Sequence, residues 1–449
     1  MPSTGNSKIL VVPVEFTDYT FESDYKTFLQ NAFFGDADDT SWESVSSYYR
    51  KSSNGKLNIE GTVADKISLN MRLSQATRQY DCTVVSDDAL VSALTSLAKT
   101  MDLSEYDSNN DGYIDAVWLV NSAPYSYDYD ITWAYTYWYF EDTTFDGLKI
   151  SSYSWASIEF LREDIDETKA ENSNADCHTM IHETGHLLGL DDYYSYDSGT
   201  DCPVGCLDMM DYNVGDHMEF SKYLLGWTEP VVLTEDYLKE VDYTVKVNTS
   251  AIGENTCYIL PIQSENCIED YNHTPYDEYL VIEYYTPTGL DKRDADEPYD
   301  GYIGNYTTSG IALYHVNARV GKLTYERSGW TWDGYVYDEI TDYRTSANTG
   351  DYFYYPIYSN TASYCYDTTF SRSMKDYYQG AFVSLLPQTG KKATGTYWGN
   401  NDFLYAEGDK FMLGGTYQDF VFEDGRAPLF GFEVELCGTT DATLAFSRN

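Results

Sequence analysis

The stretch His182-Glu-Thr-Gly-His-Leu-Leu-Gly-Leu-Asp-Asp192 holds the residue types best suited to chemistry. His182 and His186 stand four residues apart. On a helix that spacing puts both imidazoles on one face, a single turn apart. Two imidazoles so placed can hold one zinc ion, and Glu183, beside the first, can act on water at the metal. The bare pattern would also suit an amphipathic helix whose histidines are merely solvated or hydrogen-bonded. Two further residues narrow the reading. Gly189 comes three positions after His186, where a helix must stop and the chain must turn with positive φ. Asp192 comes three positions later, where a third ligand is expected, and a carboxylate oxygen is a competent zinc ligand. Asp191 offers a second carboxylate one residue earlier, so both acids are candidates.

Further along, Leu207-Asp-Met-Met-Asp-Tyr212 brings Met210 and, two residues later, the Tyr212 phenol. A phenol there could hydrogen-bond the oxyanion of a tetrahedral intermediate. The methionines would equally serve as core filling. His217 follows in the same segment, where a role in the site and a plain polar contact suit it alike. Upstream, Asp107, Asn109, Asp111, Gly112 and Asp115 match the first nine positions of a calcium loop. The bidentate Glu expected at position twelve is absent, since Trp118 stands there. Calcium binding and an Asx-rich turn that starts a strand are both open for this loop.

The elements that must position these residues can be followed along the chain. Lys8–Phe16 is an almost unbroken apolar run and predicts a buried strand. Helices are predicted near Asp24–Ala32 and over Trp42–Tyr49, with a turn at Asn54-Gly55 and a returning strand over Lys56–Val63. Ser86 is read as the start of a helix with Leu90, Leu94, Leu97 and Met101 as its apolar stripe. Strands are predicted over Ala116–Val120, Ile131–Phe140 and Leu148–Trp155, and the histidine helix is predicted to begin near Ala175–Thr179. Met180, Leu187 and Leu188 form that helix's apolar face. Ser221–Trp227 is read as a short closing helix, and Thr228-Glu-Pro230 as a boundary. Beyond it the period is mainly two: Tyr243–Val247, Cys257–Ile262, Glu278–Tyr285, Ile311–Val316, Phe382–Leu386, Phe430–Leu436 and Ala442–Phe446. That half reads as all-β, sandwich-like.

A chain of 449 residues implies more than one core. The net charge of -45 argues against a nucleic-acid partner, whose phosphates it would repel. No stretch is long and apolar enough to span a membrane. Tyrosine is abundant at 46 residues, which suits binding surfaces and twisted sheets equally. Eight cysteines suggest disulfides in an exported protein, with connectivity unreadable from sequence. Cys202-Pro-Val-Gly-Cys206 reads as a small loop staple, in preference to a second zinc site.

Taken together these residues resemble the immune inhibitor A-type secreted bacterial zinc metallopeptidases, within the metzincin-like zincins. The resemblance runs through Ile9–Phe16, Trp42–Tyr49, Asn54–Leu57, Asp107–Asp115, the histidine stretch, Asp208-Met-Met210 and Leu225-Gly-Trp227. It extends to Glu278–Glu283 and Gly310–His315. Two positions depart from the pattern: Asp191 stands where Pro is common, and Asp211 where Ser is frequent. The resemblance implies an α+β zincin-like catalytic domain over residues 1–230, a mixed twisted sheet with the active-site helix, and a β-rich region over 231–449. It implies zinc on His182, His186 and Asp192, Glu183 as general base, and Met210 in a tight turn beneath the metal. The expected activity is that of a monomeric endopeptidase acting on proteins or peptides, secreted or at the cell surface, with an export signal and pro-segment upstream of Met1. The alternative is an inactive zincin-fold adhesin or carbohydrate-binding protein. The intact Glu183 argues against it.

Overall fold

The computed structural model describes residues 1–79, 82–126, 130–162, 174–196, 202–296, 299, 302, 304–328, 331–339, 352–356, 360, 382–391 and 398–449. They form a mixed α/β chain with several sheets and no closed barrel. The chain divides into two compact units, Met1–Asp191 with Leu225–Trp227, and Asp192–Leu224 with Thr228–Asn449. The sequence reading puts its boundary at 230, and by compactness residues 192–224 group with the β-rich half. No helix among the described residues is long and apolar enough to cross a membrane.

The first unit runs β1 (Gly5–Glu15), α1 (Tyr25–Phe34), α2 (Val45–Ser52), β2 (Leu57–Val63), β3 (Ile67–Ser68), α3 (Leu73–Gln79), α4 (Cys82–Leu97), β4 (Ala116–Asn121), β5 (Tyr135–Trp138), β6 (Ser152–Ser157) and α5 (His178–Leu188). Its sheet has the order β2-β1-β4-β6-β5, with β3 also on β1. Every pairing is parallel except that of β5 with β6. Strands β1 and β4 are buried on both faces, as near-continuous apolar runs in parallel sheets must be. Leu10, Val12, Val14 and Phe16 join Val117, Leu119 and Trp155 in one cluster under α4. On β4 the alternate residue Trp118 meets the Phe33 ring of α1 and bonds to α5.

Three sequence expectations shift. Helix α4 starts at Cys82 rather than Ser86, because Val85 also has a core to enter. Ser86 lies inside it and hydrogen-bonds Tyr153 Oη at 2.6 Å. The strand expected over Ile131–Phe140 contracts to β5, after a 3-10 turn at Asp130–Thr132. The strand expected from Leu148 starts at Ser152, with Leu148 and Ile150 buried ahead of it.

The second unit contains α6 (Glu219–Leu224), β7 (Val231–Val232), α7 (Glu235–Glu240), β8 (Thr244–Asn248), β9 (Cys257–Gln263), β10 (Glu269–Asp270), β11 (Glu278–Tyr285), α8 (Lys292–Asp296), β12 (Gly304–Asn305), β13 (Gly310–Asn317), β14 (Val320–Ser328), β15 (Thr331–Glu339), β16 (Tyr352–Pro356), β17 (Val383–Leu385), β18 (Gly399–Asn400), β19 (Lys410–Phe411), β20 (Phe430–Cys437) and β21 (Asp441–Arg448). One sheet has the order β10-β9-β11-β13-β17 and another β19-β20-β21-β8. A single apolar cluster takes alternate residues from both, including Leu280 and Ile282 of β11 and Phe430, Phe432, Leu444 and Phe446 of β20 and β21. The other face of β11 is buried too, and there Glu283 accepts the Glu219 N–H of α6 at 2.6 Å. That contact ties the 192–224 segment to the β-rich unit. Strands β14, β15 and β16 form a three-stranded sheet where the sequence reading finds no strand.

Candidate metal centre

Helix α5 is fixed by what its buried side touches. Met180 and Ile181 are fully buried, and Leu187 and Leu188 nearly so. The Tyr49 hydroxyl of α2 donates to Ile181 O at 2.6 Å, and Trp118 Nε1 donates to Thr184 Oγ1 at 3.1 Å. With that side spoken for, His182 and His186 face the other way and are only partly buried. Their rings lie 5.0 Å apart, centroid to centroid. Gly189 ends the helix with φ 104°, and its N–H bonds His186 O at 3.0 Å.

The turn at Gly189 swings Leu190 back over the last helical turn. Leu190 N reaches Gly185 O at 3.1 Å, and Leu190 O lies 2.7 Å from His186 Nδ1. A carbonyl can only accept, so this contact assigns the proton to Nδ1 and leaves the Nε2 lone pair for a metal. Asp192, two residues further, is buried whereas Asp191 is exposed. Ligand atoms of His182, His186 and Asp192 all lie within 4.8 Å of one another. Asp192 therefore joins the imidazoles; Asp191 does not. The Tyr196 hydroxyl donates to Asp192 Oδ2, which orients the carboxylate.

Glu183 is 7 % exposed, close to fully buried. Thr136 Oγ1, on β5, stands 3.0 Å from Glu183 Oε2 and 3.0 Å from Glu183 O. It also lies 2.7 Å from Ser154 Oγ. With Ser154 as the donor in that pair, the Thr136 proton is left for Glu183. Strand β5 ends the sheet order, so one of its edges has no strand partner among the described residues. Trp138 and Phe140, on and just past that strand, are 62 % and 77 % exposed.

The segment after the motif is organised by Asp208. Its buried carboxylate accepts Met210 N at 2.7 Å, Met218 N at 2.8 Å and Ser221 Oγ at 2.7 Å, and meets His217 Nδ1 at 3.2 Å. Burial opposes its ionisation, but His217 and these donors hold its pKa below the usual carboxylate range. His217 is thus a fully buried partner of Asp208, the polar-contact alternative of the two considered. Met210 is fully buried in the Asp208–Asp211 turn, and its carbonyl accepts Tyr193 N at 2.8 Å. Tyr212 is half-buried, with its ring against Tyr194 and Tyr302. Burial first, then the neighbouring Cys202, Asp211 and Asp192, push its pKa up to about 12, so the phenol keeps its proton as a donor.

The Asp107 loop is arranged differently from the histidine site. Asp107 accepts Asp111 N at 2.9 Å and Gly112 N at 3.0 Å, while Asp111 accepts Tyr113 N at 2.8 Å. Asn109 Oδ1 accepts Asp111 N at 3.2 Å. Asp115 turns inward, to Ser108 N at 3.2 Å and Lys8 N at 3.0 Å. These are the hydrogen bonds of an Asx turn leading into β4, and among the described residues the loop forms no close group of three His, Cys, Asp or Glu ligand atoms. Sequence reading did not find Thr136, the Leu190 carbonyl or Tyr196, whose roles depend on sheet register and a backbone turn. A second cluster joins Asp211 to Cys202 and Cys206, a pair that the sequence reads as a loop staple in preference to a zinc site.

No protein-family model matches the chain, and no curated protein matches it significantly.

Proposed function

We propose that the chain is a zinc-dependent endopeptidase, exported from the cell as the family resemblance implies, that hydrolyses peptide bonds in proteins. The observation that carries the reading is the convergence of His182, His186 and Asp192 beside a nearly buried Glu183. The donor set suits zinc: two neutral imidazoles, one with its tautomer set by Leu190 O, and a carboxylate. When bound, zinc acts as a Lewis acid on a carbonyl oxygen and acidifies water. Glu183, held by Thr136, takes the proton from the attacking water and returns it to the departing amine. Tyr212, as a protonated phenol, supplies a hydrogen bond to the developing oxyanion. The edge of β5 that has no strand partner among the described residues, beside exposed Trp138 and Phe140, suits an extended peptide added as a further strand. Digestion of casein tests the reading. It should stop on removal of metal by a chelator and return on addition of zinc. Undiminished digestion in the chelated protein would reject it.

A further inference from the structure

We propose that Cys202, Cys206 and Asp211 form a second metal site, for zinc or a similarly thiophilic divalent ion, built on residues shared with none of His182, His186 and Asp192. The two sulfurs and an Asp211 carboxylate oxygen lie within 4.8 Å of one another. Both cysteines are fully buried and Asp211 is 3 % exposed. The thiols are free rather than joined. Two thiolates and a carboxylate select a soft or borderline ion over calcium or magnesium, which prefer all-oxygen sites.

The surrounding backbone holds this arrangement closely. Gly205 N bonds Cys202 O at 2.9 Å, closing the Cys-Pro-Val-Gly turn. Gly205 at φ 74° and Cys206 at φ 64° are consecutive left-handed residues, which reverse the chain and return the second sulfur toward the first. Asp211 Oδ2 accepts Cys206 N at 3.0 Å and its Oδ1 accepts Tyr212 N at 2.9 Å, so the carboxylate is aimed by the loop it would help to chelate. The paired strands β12 and β18 press on the loop through glycines. A Cβ at Gly304 would stand 2.9 Å from Cys206 Cβ, and one at Gly399 only 2.3 Å from Gly205 O. The Gly399 N–H favours the Cys206 thiolate, the role a backbone donor plays behind a metal-bound sulfur.

A bound divalent ion would compensate the charge of two thiolates and a carboxylate that the loop buries side by side. It would also cross-link the Cys202 turn to the turn that carries Met210 and Tyr212.

The test is metal content of the full chain, purified without added reductant and loaded with zinc. C202S/C206S should carry about one zinc fewer than wild type, and H182A/H186A should still retain about one. Loading wild type with cobalt should add a thiolate-to-metal charge-transfer absorption in the near ultraviolet, absent from C202S/C206S. The cobalt spectrum uses the unaltered protein, so it decides even if the serine variant folds poorly. Equal zinc in wild type and C202S/C206S would overturn the proposal. So would a cobalt form lacking the thiolate band, or a Cys202–Cys206 disulfide found by non-reducing peptide mapping. Failure of the histidine site alone would look different, because zinc would then depend on the cysteines and not on the histidines.

Discussion

Replacing Gly189 by alanine probes how the helix end sets up the proposed metal site. Gly189 sits at φ 104°, and a Cβ built there meets nothing within 4 Å, so no steric clash enters. The cost is the left-handed backbone, about 1–2 kcal/mol for an L-residue. Alanine also stiffens the unfolded chain, which returns about 0.4–1 kcal/mol. The net loss is then about 1 kcal/mol, worth roughly 2–4 °C in Tm for a unit near 200 residues. A second effect follows from position. Leu190 O, which orients His186 through Nδ1 at 2.7 Å, is the next carbonyl along the chain. A displaced Leu190 O should weaken zinc binding about 10–100-fold, the usual effect of losing an outer hydrogen bond to a ligand histidine. Gly189→Asn should lose less on both counts, since Asn tolerates φ > 0, and Gly189→Val should lose more. Thermal melts of the metal-free chain and chelator competition for zinc separate the two effects. If the alanine variant matches wild type in both, or if asparagine and valine behave alike, the assigned role of the turn is wrong.

Other outcomes follow from the same geometry. Thr136→Val removes the hydroxyl beside Glu183 Oε2 and should lower kcat about 10-fold while zinc content stays at the wild-type level. Asp192→Ala should lose zinc affinity and casein hydrolysis together, whereas Asp191→Ala should keep both; metal titration of the two variants would expose a reversed order. Burial raises Glu283 from the ordinary glutamate value of 4.5 to about 8. The native state therefore holds that proton more tightly than the unfolded chain. Its contribution to stability is full below pH 4.5 and is lost as pH rises through about 8. Denaturant melts of the metal-loaded protein at pH 5 and pH 8 should show that loss, and Glu283→Gln should reduce it.

Much of the fold was legible because local signals agreed with tertiary demand. The run Ile9–Phe16 is broken only by Glu15, and it falls on β1, a strand covered on both faces. Each of the seven period-two runs after residue 230 falls on a strand to within one residue at either end. Where a residue serves packing several elements away, the signal faded. Ser86 looks like a cap but sits inside α4, bonded to Tyr153 on a strand. The His182, Glu183, His186 set is visible from spacing alone because one helix carries all three. Choosing Asp192 over Asp191 needed burial, which follows from how the chain leaves Gly189. Thr136 could not be singled out, because its contact with Glu183 depends on the register Thr136↔Ser154 between β5 and β6. Asp211 stands beside Cys202 and Cys206 through a loop closure that spacing does not encode.

Glu183→Gln tests the central claim most directly, because it parts metal binding from chemistry. The amide keeps the shape of the side chain but cannot take a proton from water. Zinc content should equal that of wild type, measured on the same preparation used for turnover. Casein hydrolysis should fall by about 10²–10⁴-fold. Cleavage at a near wild-type rate by the zinc-loaded variant would contradict the assignment of Glu183 as the general base.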